Sequence, residues 1–410
     1  MVTPEDMRLD LDELFYKLEM THPNLYAYRA KASVDLDRQR LSDELTQAMT
    51  VIDFYKKAAL LINSLADYHT RLSLSREALV VIEQSERFFP FGLQIEGQRA
   101  YINANFSGDD SIKFGTELLE VNGMPVSEIL DRSKQYEPFG RNISPITLWL
   151  LFGSMPDYQL NLLPPGKTTV VNRNVPGLTS VEIRQLAIRD EFPASVTYTK
   201  LPDIKGGLLA INTFVDIAKL LEPAFTRIQE DAVQHLIIDI RANEGGQYDQ
   251  VDWLMDYLTD QPYKQCSRGY VAPATGSASA EPIETVCALK HPFDFPQRYA
   301  EKIYLLIGPD TSSAAVTFAT ILQDYNLAVL IGEETLTPAS YCGDIAEVIL
   351  TLPQTQLSYM VPRTCYVRPS GIFNEDGVIP DIIVNTTFSD RIAGKDPVLV
   401  RTLELIPETP

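Results

Sequence analysis

The sequence predicts a multi-domain α/β protein, and three textures along its 410 residues carry that reading. Amphipathic stripes fill residues 1–80, short alternating runs broken by glycines follow over 86–200, and short apolar runs alternate with amphipathic helices over 201–385. Residues 386–410 read as a C-terminal tail. A chain of this length can bury more than one core, because domains average about 150 residues.

In the first region Leu9, Leu11, Leu14, Phe15 and Leu18 recur mostly at three- and four-residue spacings, and a second stripe runs from Val51 to Leu65, so helices are expected. From Phe88, runs such as Leu93-Gln94-Ile95 and Tyr101-Ile102-Asn103 alternate between Gly97, Gly108 and Gly115, the pattern of strands and turns. The stretch from Ile112 to Ile129 reads as strand, tight turn and short helix, and residues 86–135 resemble a PDZ-type module. Asn122-Gly123 is equally the signature of a plain β-turn. Pro164-Pro165-Gly166-Lys167 marks a further turn, and the Ala272 to Ala280 stretch a mobile loop.

Gly206-Gly207 opens the α/β region. Leu208 to Ile211, Leu236 to Ile240, Ile303 to Ile307 and Ala328 to Ile331 are the central strands expected of a sheet covered on both faces. Helices are expected between them over Pro223 to Ala232, Val251 to Leu258 and Ser313 to Tyr325.

Composition limits the function classes. With 35 Lys and Arg against 55 Asp and Glu the net charge is −20, and no dense basic run reverses it locally, which argues against nucleic acid as a partner. No apolar stretch approaches the ~20 residues of a membrane helix. The N-terminus, Met1 to Asp6, lacks the basic start and apolar stretch of a secretory signal, so the chain is either cytosolic or has lost its signal. Cys266, Cys287, Cys342 and Cys365 lack the Cys-x-x-Cys spacing of a zinc site and are too sparse for a disulfide framework; they read as buried or unpaired thiols, with one bridge as the exception. No metal and no cofactor is expected.

Three segments are candidates for chemistry. After Ile303 to Ile307 comes Gly308-Pro309-Asp310-Thr311-Ser312-Ser313-Ala314-Ala315, which puts Ser313 at a helix N-terminus, where the unpaired N–H groups and the dipole favour an oxyanion and the Ala314 N–H is the natural donor. The same hydroxyls can instead be ordinary helix caps. After Leu236 to Ile240 comes Asp239-Ile240-Arg241-Ala242-Asn243-Glu244-Gly245-Gly246, whose glycines let the backbone approach a ligand and offer further N–H donors; a phosphate loop is disfavoured, because no Gly-Lys-Ser/Thr follows. In Leu65-Ala66-Asp67-Tyr68-His69-Thr70 a helical stripe runs into His69, either a base for a serine or a histidine favoured by the helix C-terminus. His22 and His235 read as structural, and His291 as a loop residue.

Together these segments resemble the S41 serine peptidases, the tail-specific or C-terminal-processing enzymes. Leu65 to Thr70 is similar to L-x-D-G-H-T, Leu236 to Gly246 to L-I-I-D-L-R-x-N-x-G-G, and Thr311 to Ala319 to T-x-S-A-x-E-x-x-A; Gly332-Glu333-Glu334-Thr335 is similar to G-E-x-T and Gly377-Val378-Ile379-Pro380-Asp381 to G-V-x-P-D. The resemblance implies a ClpP/crotonase-like catalytic domain, Ser313 rather than Ser312 as nucleophile, and oxyanion N–H groups from Gly245, Gly246 and Ala314. Pro338 stands where the processing branch has its lysine, and no lysine lies between Thr311 and Asp381, so the resemblance is to the tricorn-like branch with His69 as base. The acid that orients His69 falls near Asn374 and is assigned to Glu375; Asp67 is set aside, because residues two apart on a helix diverge. Val316 replaces the family's glutamate, and Tyr68 the glycine before His69.

The implied activity is hydrolysis of unfolded proteins or peptides through an acyl-enzyme. A catalytically inactive S41-like protein that binds peptides or apolar ligands is the alternative. The implied setting is an exported bacterial protein, periplasmic, secreted or lipid-anchored, with its signal removed.

Overall fold

A computed structural model describes residues 1–137, 140, 142–187, 194–201, 204–272, 282–343, 350–373 and 375–407. Most of the loop expected over 272–280 therefore lies outside the described residues, as does Asn374. The chain forms two compact units, one from residues 1–187 with 350–362, the other from 194–272, 282–343 and 363–407.

The first unit begins with helices Pro4–Thr21, Lys31–Glu44, Val51–Asn63 and Arg76–Ser85. Thr3, Thr50 and Ser75 cap three of them by accepting from the N–H three residues on, which supplies one of the unpaired donors at each N-terminus. The buried face of the first helix is Met7, Leu11, Leu14, Phe15 and Leu18; Leu9, expected in that stripe, is exposed, because Met7 holds the position one turn before Leu11. Residues from 350 to 361 return to this core. Ser358–Met360 pairs with Arg71–Ser73 and with Leu350–Thr351, and the buried Asp10 carboxylate accepts from Gln354 N, Thr355 N and Thr355 Oγ1 at 2.6–3.0 Å.

A second core in this unit lies on an antiparallel sheet, ordered Phe91–Glu96, Arg99–Asn105, Glu117–Val121, Asp157–Leu163 and Val171–Pro176. Tyr158, Leu160 and Leu162 alternate inward, as a half-buried strand requires. Asn122 and Gly123 both take positive φ, 49° and 81°, between Glu117–Val121 and Met124–Pro125, the two-residue turn that the pair signals, and helix Val126–Ser133 follows.

In the second unit five strands run parallel, in the order Ile382–Ile383, Val329–Gly332, Lys302–Ile307, His235–Asp239 and Gly206–Ile211, and Val196–Leu201 closes the sheet antiparallel. Both faces are covered. Leu236, Ile238, Leu305 and Ile307 point into a core with helices Ala218–Glu230, Tyr248–Met255 and Ala314–Asp324, while Ile237, Tyr304, Leu306 and Ile331 pack with Val398 and Ile406. The segment read as a C-terminal tail thus contributes helices Phe388–Ile392 and Pro397–Glu404, the latter closing the sheet's second face.

A smaller sheet in this unit joins Ile283–Val286, Arg268–Val271, Thr364–Val367 and Tyr341–Cys342. The cysteines correct the sequence reading: Cys266 is bridged to Cys287 and Cys342 to Cys365. Antiparallel pairing makes Cys342 and Cys365 direct neighbours, a proximity that spacing along the chain does not reveal. Thiol titration of the denatured, unreduced chain is accordingly expected to find no free thiol and, after reduction, all four; two free thiols before reduction would contradict one of the bridges.

Candidate active site

The site grows from the carboxyl ends of two neighbouring parallel strands, Lys302–Ile307 and His235–Asp239. Each strand ends in a loop, and hydrogen bonds fasten the loops together. Thr311 Oγ1 donates to Ile240 O at 3.0 Å and accepts from Gly308 N, Ser312 N donates to Asn243 O, and Ser312 Oγ donates to Glu244 O at 2.8 Å. Two of the three hydroxyls that resemble caps are therefore tied to the neighbouring loop. Helix Ala314–Asp324 begins immediately after them.

Ser313 occupies the N-cap position, yet its side chain makes no capping hydrogen bond. Its backbone has φ 53° and ψ −124°, a left-handed conformation that costs a non-glycine residue of order 1–3 kcal/mol. The Ser313 N–H donates to Thr337 Oγ1 at 3.0 Å, which fixes the turn from its other side. Ser312 is fully buried, and its hydroxyl is bonded to Glu244 O.

The glycine loop presses against this turn. A Cβ on Gly245 would lie 2.7 Å from Ser313 Cβ and 3.0 Å from Ala314 N, and one on Gly246 would lie 2.4 Å from Phe214 O. Both glycines have positive φ, 104° and 139°. Asn243 holds the loop in place: its Nδ2 donates to Ile211 O, and its Oδ1 accepts the Gly245 N–H at 2.8 Å. That bond corrects the expectation for Gly245, whose N–H is already committed and whose contribution is the space it leaves beside Ser313. Ala314 is the first residue of its helix, so its N–H has no intrahelical partner.

Sequence reasoning missed Tyr341. It is buried, and its Oη lies 2.9 Å from both Thr317 Oγ1 and Tyr248 Oη. Burial pushes this phenol up to about 12, the hydrogen bonds from Thr317 and Tyr248 opposing the rise. Nothing in the local sequence marks Tyr341, because Thr317 and Tyr248 lie 24 and 93 residues away from it.

The remaining motifs are braces. Thr335 Oγ1 accepts from Val378 N at 2.8 Å and donates to Thr337 O, while Glu334 Oε1 accepts from Gly377 N at 2.7 Å. The segment similar to G-E-x-T is thereby locked to the segment similar to G-V-x-P-D, and both support Thr337. Glu375 is exposed just before Gly377. Arg241 is forked between Asp239 and Asp396, with N···O distances of 2.6–3.0 Å.

His69 belongs to the first unit and is buried there. Helix Val51–Asn63 stops before reaching it, which corrects the helical reading of Leu65 to Thr70; Ala66 turns the chain with φ 58°. Asp67 Oδ1 then accepts from His69 N at 2.7 Å and Thr70 N at 2.8 Å, while Oδ2 lies 3.0 Å from His22 Nε2. His22 Nδ1 accepts from Asn24 N, so its proton sits on Nε2 and points at the carboxylate. Asp67 therefore fixes the main chain of His69, a role that the comparison of positions on a helix could not reveal.

Burial alone would raise Asp67, but the His22 hydrogen bond, the His22 and His69 imidazoles and the His69 N–H hold it below the ordinary 3.8. A depressed carboxyl contributes stability above its unfolded value, and that contribution is lost as pH falls through the folded one. Asp67→Asn is thus expected to lower the melting temperature near about pH 7, and its gap from the unsubstituted protein should close below about pH 4. A gap that stays constant into strong acid would show that the carboxylate charge plays no part. At Ser313, replacement by glycine should relieve the left-handed backbone and raise stability by about 1 kcal/mol in urea unfolding, whereas a less stable variant would mean that hydroxyl contacts outweigh the strain.

Residues 205–384 match the model of Peptidase family S41. Over 188 residues the chain is 23% identical to a carboxy-terminal-processing protease of Bartonella bacilliformis, covering 46% of this chain and 39% of that protein. Over 195 residues it is 24% identical to a probable CtpA-like serine protease of Staphylococcus epidermidis, covering 47% and 36%. The match spans about two fifths of the first relative's length. In structure the chain is similar to a mutant of CPAF, with TM-score 0.71 and 17% identity over 98% of this chain and 97% of that one. It is also similar to the photosystem II D1 C-terminal processing protease, with TM-score 0.52 and 16% identity over 92% and 93%. At these identities the likeness is one of fold, a mixed α/β arrangement with several sheets. The resemblance to S41 peptidases read from the motifs is met over residues 205–384; the segment around His69 lies outside that match.

Proposed function

We propose that this protein is a serine peptidase acting on unfolded proteins or peptides, with Ser313 as nucleophile, His69 as general base and Glu375 as the acid that orients it. The carrying observation is the turn at Ser313, a serine in a left-handed N-cap position whose hydroxyl caps nothing. Ser313 Oγ attacks the scissile carbonyl carbon while its proton passes to His69, and His69 returns that proton to the departing amine. Water, deprotonated by the same base, then attacks the acyl-enzyme carbonyl, and His69 passes that proton to Ser313 Oγ as the ester bond breaks. Negative charge on the carbonyl oxygen would be met by the N–H groups of Ala314 and Gly246, each such donor being worth roughly 3 kcal/mol in acyl transfer.

The assignment of His69 rests on the resemblance to the tricorn-like branch, in which this histidine takes the place of the lysine that Pro338 excludes. The ClpP/crotonase-like description of the α/β unit, the PDZ-like description of residues 86–135 and an exported location belong to the same reading. Two disulfides support the location, since they persist in oxidising compartments. No helix among the described residues is long and apolar enough to cross a membrane.

The test is degradation of an unfolded protein by the intact chain, Ser313→Ala and His69→Ala, together with labelling by a fluorophosphonate. Cleavage and labelling at Ser313 are expected of the intact chain only, with Ser313→Ala losing at least about a thousandfold in rate and cleavage falling as His69 protonates in acid. An intact chain that neither cleaves nor labels would favour the peptide- or ligand-binding alternative. Full activity with an unchanged pH profile in His69→Ala would remove His69 from the mechanism.

A further inference from the structure

We propose that a cavity beside the Ser313 helix is a substrate subsite that takes a lysine or arginine side chain, with the Asp249 carboxylate as the group that selects it. The inference rests on the peptidase reading and adds the substrate class. The cavity has a volume of about 270 Å³, and its lining residues all belong to the second unit.

Its walls come from the elements that build the site. Thr317, on one wall, donates its N–H to Ser313 O at 3.1 Å, so it stands one helical turn, about 6 Å along the axis, from the nucleophile. Tyr248, on another, follows Gly246 by two residues and opens the helix Tyr248–Met255. A polypeptide held at Ser313 and the glycine loop therefore has this cavity within reach of the side chain next to its scissile bond.

The lining selects a cation. The rings of Tyr248 and Tyr366 pack 5.6 Å apart and form an aromatic wall, against which a long stem buries apolar surface and a cationic head meets ring faces. Asp252 is already served: Tyr263 Oη and Gln265 Nε2 donate to its Oδ1 at 2.6 and 2.8 Å, and Lys290 Nζ pairs with its Oδ2 at 2.7 Å. Asp249 is exposed and accepts from Gln250 Nε2 at 3.3 Å, and among the described residues no lysine or arginine pairs with it. Lys290 thus cancels one of two carboxylates and leaves the lining net negative, and the chain's own charge of −20 adds to the pull on a cation. An acidic side chain would meet repulsion there, and an apolar one would strip water from Asp249 without offering a partner.

The experiment compares the full chain with Asp249→Asn, Asp249→Lys and Lys290→Gln on unfolded peptides identical except for Arg, Lys, Gln, Leu or Glu at one position, with the cleaved bond located by mass spectrometry. The readout is the ratio of kcat/KM for the Arg peptide over that for the Gln peptide, which cancels any common loss of active enzyme. The unsubstituted chain is expected to cut next to Arg and Lys with a ratio of at least about ten, the size of one hydrogen bond to a charged group. Asp249→Asn should bring the ratio close to one, and Asp249→Lys should make the Glu peptide the better substrate. Lys290→Gln, which frees the Asp252 charge, should raise the ratio above that of the unsubstituted chain. A ratio that stays constant in Asp249→Asn while every rate falls would show a structural role and overturn the inference. Fluorophosphonate labelling of Ser313 separates the two readings: a chain that labels and cleaves without preference for basic residues overturns the subsite and leaves the peptidase reading intact, whereas one that neither labels nor cleaves removes both. Should Asp249→Lys fail to fold, as judged by melting temperature, Asp249→Asn and Lys290→Gln decide, because the subsite requires them to move the ratio in opposite directions and movement in one direction overturns it.

Discussion

The second unit is organised around one uncomfortable residue. Ser313 has a backbone conformation that an L-amino acid adopts at a cost, and it persists because hydrogen bonds from three directions leave no other path for the chain. Thr311 and Ser312 tie it to the loop after His235–Asp239, and Thr337 takes its N–H. Gly245 is the necessary complement, since any side chain there would collide with Ser313 Cβ. The strain turns the hydroxyl out of the capping position that a relaxed serine would take and leaves the Ala314 N–H beside it, which a chemical site needs and a plain helix start does not.

This constraint explains why distant segments matter. Thr337 is held through Thr335, and Thr335 through Val378 N–H, so two short motifs 43 residues apart act as one brace beneath the serine. The fork of Arg241 between Asp239 and Asp396 does comparable work at the base of the glycine loop, tying the end of one central strand to the N-cap of the C-terminal helix. Residues that look catalytic by their place in a motif are here largely structural, and the Ser313 turn is what they support.

Legibility in the sequence followed the range of the interaction. Central strands such as Leu236 to Ile240 were readable because burial on both faces leaves a continuous apolar run, and the Asn122-Gly123 turn because only a few residue pairs tolerate positive φ twice. Ser313 was readable as a position, a serine between a strand and a helix, but its backbone strain was not. The end of the helix before His69 was misread because the apolar stripe runs on through Leu65, while Ala66 at positive φ stops it. Tyr341, Thr337 and the disulfide partners were invisible for a different reason: each acts on a residue that only tertiary pairing brings near, and no periodicity records that.

The charge pattern of this region bears on the kind of catalysis it can support. Arg241 is neutralised by two carboxylates and Arg368 by Asp324, whereas the atoms fastened around Ser313 are hydroxyls, amides and main-chain N–H groups. Such groups carry fixed dipoles but no net charge, so they need not be desolvated as ions to be buried, and they need not reorient when charge appears on a carbonyl oxygen. A buried cation in the same place would stabilise the oxyanion more in principle, yet in the resting state it would demand a counter-ion. A network of neutral donors avoids that conflict, at the cost of requiring each hydroxyl to point one way.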